Sequence, residues 1–502
     1  MVPVSTGDLV GGSPYESAVK QDKPTLDMAK VWGLTVSAVG NHEFDRSVAD
    51  FNNRVAAPAN GIDWLCANVS SANKSATGKL SHVKDYTIRT VNGKRIGFVG
   101  ALTDALGSVA TPQITEDADL SERAVDALNR VAGELKRSGK VDAVVALLHA
   151  DASAATGLGR DVDLAYTGHT HAVKQGVTDG GAPIYEAGSF GQNMAVQDLI
   201  ITGHGRHAKV QVADVNLGNG TEATAVPGVL NVEGLDAHPR QAAWMSAGVV
   251  SNGSVARSRQ LYTKANYAAS AGNAVIGTLA PGTNFDKRTS VGHEGSVGML
   301  VADANRESIM RNVYAGTRLP VVGFSNDGSL RTKQLDMDED GKVTIREVDS
   351  LMALQFHAAH ETLTGLGLKA VLAQQFHRND DGELEHRWLG ISSNVRYRYV
   401  QCGDGGATCT LGDSDGNGNQ HTGVKATVGI VDLTIDGRPI ADDDLVIIAS
   451  NSYLLQGGDN YSAFRAGSNY GELEMSYNQP LHEYLAAHPK LSAAVPETGT
   501  RA

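Results

Sequence analysis

The feature that most constrains this chain is an alternation of short apolar runs with helical spacing across roughly its first 215 residues. The runs SAVG (37–40), RIGFVGAL (95–102), VDAVVALLH (141–149) and VDLAYTGH (162–169) have the length of strands. Between the second and third lies LSERAVDALNRVAGELKRSG (120–139), apolar at helical intervals and closed by Gly139 as a C-cap. Strand–helix–strand units of this kind predict an α/β layer fold with parallel strands. In such sheets the chemistry collects in loops at the carboxyl ends of the strands.

At 502 residues the chain exceeds what one core organises, so two large domains are expected. The patterning divides it into a first domain over 1–215 and a partly helical connection over 216–275. A second patterned domain runs over 276–488, and a tail over 489–502. A formal net charge of −13 opposes binding to polymeric nucleic acid. A small phosphate ester remains compatible if bound cations reverse the local field. No apolar run approaches the roughly 20 residues of a membrane span, and no basic-then-apolar leader is visible. Cys402 and Cys409 bracket the loop GDGGAT and form a candidate disulfide that leaves Cys66 alone; three reduced thiols are the alternative.

Four stretches carry chemistry together: Thr6-Gly7-Asp8, Gly40-Asn41-His42-Glu43-Phe44-Asp45, His149, and Gly168-His169-Thr170-His171. Each follows a predicted strand, which brings oxygen and imidazole donors to one sheet edge. That donor set suits Zn, Mn, Fe or Mg. Two such ions about 3.5–4 Å apart can hold one phosphate between them. Any one stretch alone is an ordinary turn, strand end or surface loop; the order and placement of all four make the signal.

In that order these stretches resemble the metallophosphoesterase signature. GDLVGGSPYESAV and GLTVSAVGNHEFDRS resemble more narrowly the 5'-nucleotidase and UDP-sugar hydrolase family. The resemblance implies a layered metallophosphoesterase sandwich followed by a mixed α/β nucleotidase C-terminal domain. It implies that Asp8 bridges two divalent ions, with Asn41, His149 and His169 on one and His171 on the other. His42 would stabilise charge at the phosphate, held by Asp45. The family also has an Asp-x-His pair upstream of its Gly-Asp, for which Met1–Ser5 leaves no room. The expectation is therefore a leader and first strand preceding Met1, and a secreted or cell-surface protein.

The second half resembles the family's substrate-binding domain. EGSVGMLVADA (294–304) resembles its entry helix, with Met299 where Asn is usual. Asn326 and Arg331 of NDGSLR would reach the base or phosphates. In NSYLLQGGD, Tyr453 would stack on the base and Asp459 would bind the ribose hydroxyls. A second aromatic clamp is usual; the gap-free count puts Leu354 there, with Phe356 two residues on, so a one-sided stack is expected. Separately, DMDEDGKVTIRE (336–347) matches the EF-hand loop pattern through Asp336, Asp338, Asp340, Lys342 and Glu347, which makes it a candidate calcium loop. The function implied is hydrolysis of nucleoside 5'-monophosphates, with UDP-sugars as further substrates. The alternatives are a 2',3'-cyclic nucleotide phosphodiesterase and a catalytically impaired nucleotide- or calcium-binding surface protein.

Overall fold

The structure, a computed structural model, describes residues 1–215, 226–231, 252–287, 295–378, 384–401, 409–410, 413–414, 420–421, 425–426, 428–491 and 499–501. Cys402 lies outside the described residues, as does the side chain of Cys409. Cys66 is a free, buried thiol, which burial pushes up to about 12.

Two compact units are present. The first comprises Met1–Gly11 and Lys20–Tyr267, the second Gly12–Val19 and Ala268–Ala502. In the first unit, β1 (Val4–Ser5), β2 (Val36–Ala38), β3 (Asp63–Leu65) and β4 (Val83–Lys84) form a parallel sheet in chain order. A second sheet contains β5 (Tyr86–Val91), β6 (Lys94–Leu102), β7 (Ala143–His149), β8 (Leu164–Thr167), β9 (Val173–Val177) and β10 (Pro183–Ala187). Its order is β5-β6-β7-β8-β10-β9, parallel from β6 to β10 and antiparallel at both edges.

The runs seen in the sequence are continuous rather than alternating because both faces of each sheet are covered. Val36, Ala38 and Leu65 of one sheet pack on Phe98, Val145 and Leu147 of the other. The opposite face of the second sheet takes Leu128, Val131 and Leu135 from the helix Ala124–Ser138, which Gly139 ends with φ +67°. The helix Lys23–Trp32 covers the first sheet through Leu26 and Ala29. Burying each such aliphatic side chain contributes about 1.5–3 kcal/mol. The result is the expected layered α/β sandwich, and strands β2, β7 and β8 deliver their carboxyl ends to one edge.

The second unit is built on a mixed five-stranded sheet. Its order is Leu389–Ile391, Val321–Asn326, Leu445–Asn451, His357–Thr364 and Ser468–Ser476. The helix Ser296–Asn312, with Met299 only 1% exposed, runs beside it. A smaller sheet pairs Val275–Leu279 antiparallel with Lys342–Thr344. Residues Gly12–Val19 belong to this unit: Tyr15 is 7% exposed and lies beneath the Arg346 guanidinium, 5.4 Å from its ring centre. Glu16 pairs with the same guanidinium. Spacing along the chain gave no hint of this, since the residues before and after that segment feed the first unit. The helix Asn252–Ala268 falls within the stretch expected to be partly helical.

Candidate metal and nucleotide sites

In the first unit the strand ends bring together a compact donor group. One ligand atom each from Asp8, His149 and His169 lies within 4.8 Å of the others. Asn41 joins them, its Oδ1 3.0 Å from His149 Nε2, which is also 3.1 Å from Asp8 Oδ2. His149 Nδ1 sits 2.8 Å from the Thr6 carbonyl, which can only accept, so Nδ1 carries a proton and Nε2, facing the Asp8 and Asn41 oxygens, is the nitrogen that a cation would take in place of a proton. That is the arrangement a metal-ligating imidazole needs. Two glycines leave the space: a Cβ on Gly40 would come within 2.3 Å of Asp8 Oδ1, and one on Gly7 within 2.8 Å of His149 Nδ1. The donor set and the room around it fit a divalent cation.

The backbone is strained to make this cluster. Asp8, His169 and His171 adopt φ of +53°, +77° and +60°, a conformation that costs non-glycine residues about 1–3 kcal/mol. His171 stands outside the three-residue group and meets Phe190 edge-on at 5.7 Å. His42 Nδ1 bonds Asp45 Oδ1 at 2.9 Å, and its backbone N–H donates to Asp8 Oδ1 at 2.9 Å.

The electrostatics follow from burial and proximity. Burial alone would raise the Asp8 carboxyl, but the imidazoles of His149 and His42 overturn it and hold it far below the usual range. Burial depresses His169 to about 4, reinforced by His149, which keeps the ring neutral and able to ligate.

Glu43 is the residue that motif reading passed over. It is 2% exposed, and its carboxylate accepts backbone N–H groups of Asp8 (2.8 Å), Leu9 (2.6 Å), Val10 (3.3 Å) and Gly40 (2.6 Å). One side chain thus clamps the Gly-Asp turn to the GNHEFD turn. Burial and the Asp8 carboxylate push Glu43 up to about 7, against the pull of these donors. Glu186, fully buried on β10, does similar service for the GHTH turn through Thr170 Oγ at 2.5 Å and Ala172 N at 3.2 Å. A glutamate within the conspicuous motif was the available signal for Glu43; nothing local marked Glu186.

In the second unit Asn326, Tyr453 and Asp459 come together. Asn326 Nδ2 donates to Asp459 Oδ2 at 2.7 Å, and the Tyr453 hydroxyl donates to Asp459 Oδ1 at 2.7 Å. Asn451 and Ser329 both donate to Asn326 Oδ1. Arg331 lies next door, donating to the Gly328 carbonyl at 3.4 Å.

Two further cations join this end. Arg387 donates to the Asp459 carbonyl at 2.9 Å, and Lys287 lies 4.0 Å from Asp327. Burial depresses the Lys287 ammonium, Asp327 pulls it back up, and Arg331 lowers it further. Leu354 is buried in the core, whereas Phe356 stacks on Tyr453 with centroids 5.0 Å apart and an 8° tilt. The ring against Tyr453 is thus Phe356, two residues beyond the gap-free count, in the stretch between the helix Ile345–Leu351 and the strand His357–Thr364. Asp336, Asp338, Asp340, Lys342 and Glu347 occupy the turn leading into Lys342–Thr344 and the helix Ile345–Leu351.

Residues 275–466 match the family model described as the 5'-nucleotidase, C-terminal domain. That stretch is therefore a 5'-nucleotidase C-terminal domain. The chain's fold is that of a 5'-nucleotidase precursor from Thermus thermophilus, with TM-score 0.68 at 16% identity over 100% of this chain and 90% of that one. Among curated proteins it is 23% identical over 496 residues to the cell wall protein Lmo0130 of Listeria monocytogenes, covering 92% of this chain and 57% of that protein. It is 28% identical over 220 residues to endonuclease YhcR of Bacillus subtilis, covering 39% of this chain and 18% of that protein. The chain thus spans well under two thirds of either relative. No helix among the described residues is long and apolar enough to cross a membrane.

Proposed function

We propose that the chain is a secreted or cell-surface, metal-dependent hydrolase that releases phosphate from nucleoside 5'-monophosphates. The observation that carries this reading is the convergence of Asp8, His149 and His169 on one point, with His42 bonded to Asp8 through its backbone. Asp8, Asn41, His149 and His169 would hold one divalent ion, and Asp8 with His171 a second. Bound there, such ions would polarise the phosphate and activate the attacking water.

The protein's own groups do the rest. Asp45 accepts from His42 Nδ1, which fixes the ring in an orientation from which its other nitrogen would meet a phosphate oxygen. Glu43 holds both turns at their spacing without touching substrate. At the nucleoside end Tyr453 and Phe356, now stacked on each other, would part to give a base a ring face, Asp459 keeps further lone pairs for ribose hydroxyls, and Arg331 would reach the base or phosphates. The C-terminal domain match supports a nucleotide rather than a simple phosphomonoester.

The test is phosphate release by the full natural polypeptide from AMP, UMP, UDP-glucose and 2',3'-cyclic AMP, with Mn²⁺ or Zn²⁺ and with EDTA. Metal-dependent release from AMP or UMP supports the reading, and release from UDP-glucose extends it. Preference for the cyclic nucleotide would replace it with the phosphodiesterase. No release from any of them by folded protein would leave a binding protein.

A further inference from the structure

The turn at 336–347 is built around a buried oxygen with no donor. Asp336 is 2% exposed; its Oδ2 accepts the Gly341 N–H at 2.7 Å, while Oδ1 is buried without a hydrogen-bond partner among the described residues. Leaving a buried carboxylate oxygen unpaired is costly. The side chain is nonetheless held there firmly. Asn284 takes the Asp336 backbone at both ends, donating to its carbonyl at 2.9 Å and accepting its N–H at 3.2 Å. Gln334 donates to the same carbonyl at 2.8 Å.

The other candidate donors follow Asp336 along the chain. Glu347, 3% exposed, closes the turn by accepting the Met337 N–H at 2.9 Å. Asp338 and Asp340 are exposed on the rim, and Gly341 makes the sharp bend at φ +77°. Val343 enters the small sheet opposite Gly277, and the helix Ile345–Leu351 leaves with Thr344 and Glu347 as its capping box.

Five carboxylates face two cations within residues 336–347, Lys342 and Arg346. The Lys342 ammonium bonds Asp340 at 2.7 Å and Arg346 pairs with Glu16. A capping box explains Glu347, and solvent explains Asp338 and Asp340. Neither explains why Asp336 points an unpaired oxygen into the turn.

We propose that residues 336–347 bind one Ca²⁺ ion, using the carboxylates of Asp336, Asp338, Asp340 and Glu347 and the backbone carbonyl of Lys342. Oxygen-only donors on a flexible turn suit Ca²⁺, which accepts six to eight ligands in loose geometry, better than Mg²⁺, which demands a tight octahedron. No helix enters the turn, so the Asn284 clamp does what an entering helix does elsewhere. The ion would tie down a segment whose flanks reach the nucleoside end: the Arg331 N–H bonds the Leu351 carbonyl at 2.7 Å, and Phe356 follows that helix. Because Glu347 must share its capping bonds and Lys342 must leave Asp340, the expected Kd is weak, about 10⁻⁴ to 10⁻³ M.

The test is calorimetric titration and thermal unfolding of the EDTA-stripped, dialysed full chain with CaCl₂ and, separately, MgCl₂. The expected result is saturable binding of a single Ca²⁺ and a Tm that climbs with the logarithm of its concentration, with a smaller response to Mg²⁺. The surface pair Asp338→Ala/Asp340→Ala should abolish both without unfolding the protein. Asp8→Ala/His149→Ala, in the other unit, should keep them. Asp336→Asn should lose binding and melt no lower than the parent in EDTA, since it removes an unpaired charge. Absence of heat and of Tm change in folded parent at about 10 mM Ca²⁺, ten times the weakest expected Kd, overturns the proposal, as does binding that survives the surface pair.

Discussion

The two candidate sites, one in each unit, are prepared in opposite ways. At the strand ends of the first unit, polar groups are aimed inward: His149 offers Nε2, Asp8 offers an oxygen, and Glu43 holds their loops by four backbone donors. In the second unit, the polar groups satisfy one another. Asp459 is already bonded by Asn326 and Tyr453, and the face of Tyr453 is covered by Phe356. The first end is preorganised for charge, which must be met without delay or rearrangement. The second is a closed network, which under the proposed function a nucleoside would enter only by displacement.

The same contrast appears in two buried glutamates. Glu43 is surrounded by N–H donors, whereas Glu361, 2% exposed in the strand His357–Thr364, has an Oε1 with no hydrogen-bond partner and is pushed by burial to about 9.

This comparison can be broken at its strongest point first. Removing metal with EDTA should abolish phosphate release, and His42→Ala should lower kcat by about 10²- to 10⁴-fold with little change in Tm. A normal kcat in His42→Ala would mean that the preorganised end is not the reactive one.

The next largest effect concerns Glu361. Its folded carboxyl titrates near 9, against about 4.3 unfolded. Between those values the folded state binds the extra proton, so stability falls as pH rises, by about 1.4 kcal/mol per unit. Glu361→Gln should flatten that slope and raise Tm at pH 8. Parallel Tm–pH curves for both proteins would show Glu361 to be ionised and paired.

Glu43→Gln offers one acceptor where two served, and should weaken activating metal by about 10- to 100-fold, read from the Mn²⁺ dependence of activity. An unchanged midpoint would make the clamp dispensable. The smallest effect is at the other end. Phe356→Ala removes a ring face worth about 1 kcal/mol, roughly fivefold in KM for AMP with kcat nearly unchanged. A fall in KM instead would show that the Phe356–Tyr453 contact mainly obstructs entry.

Much of this was legible in the sequence, for identifiable reasons. Strands β6, β7 and β8 are buried on both faces, so their apolar runs are unbroken, and Gly139 marks its helix end unmistakably. The residues from Asp8 to His171 stand in short motifs at strand ends, which local pattern can find. Glu186, Lys287 and Arg387 do not, because each acts across a distance in sequence with no motif of its own. The gap-free count pointed to Leu354, and only the path of the chain reveals that Phe356 is the ring against Tyr453. Tyr15 was misplaced for the same reason: its partners, Gly272 and Arg346, lie far along the chain.

That last placement bears on how the polypeptide is made. A segment translated well ahead of Gly272 and Arg346 waits for both before its ring has anywhere to go. Contacts so distant in sequence slow folding, and they forbid a tidy division of the gene. A fragment starting at Ala268 would carry a complete sheet yet expose the seat of Tyr15, so the second unit is not a module that can be cut out and moved intact.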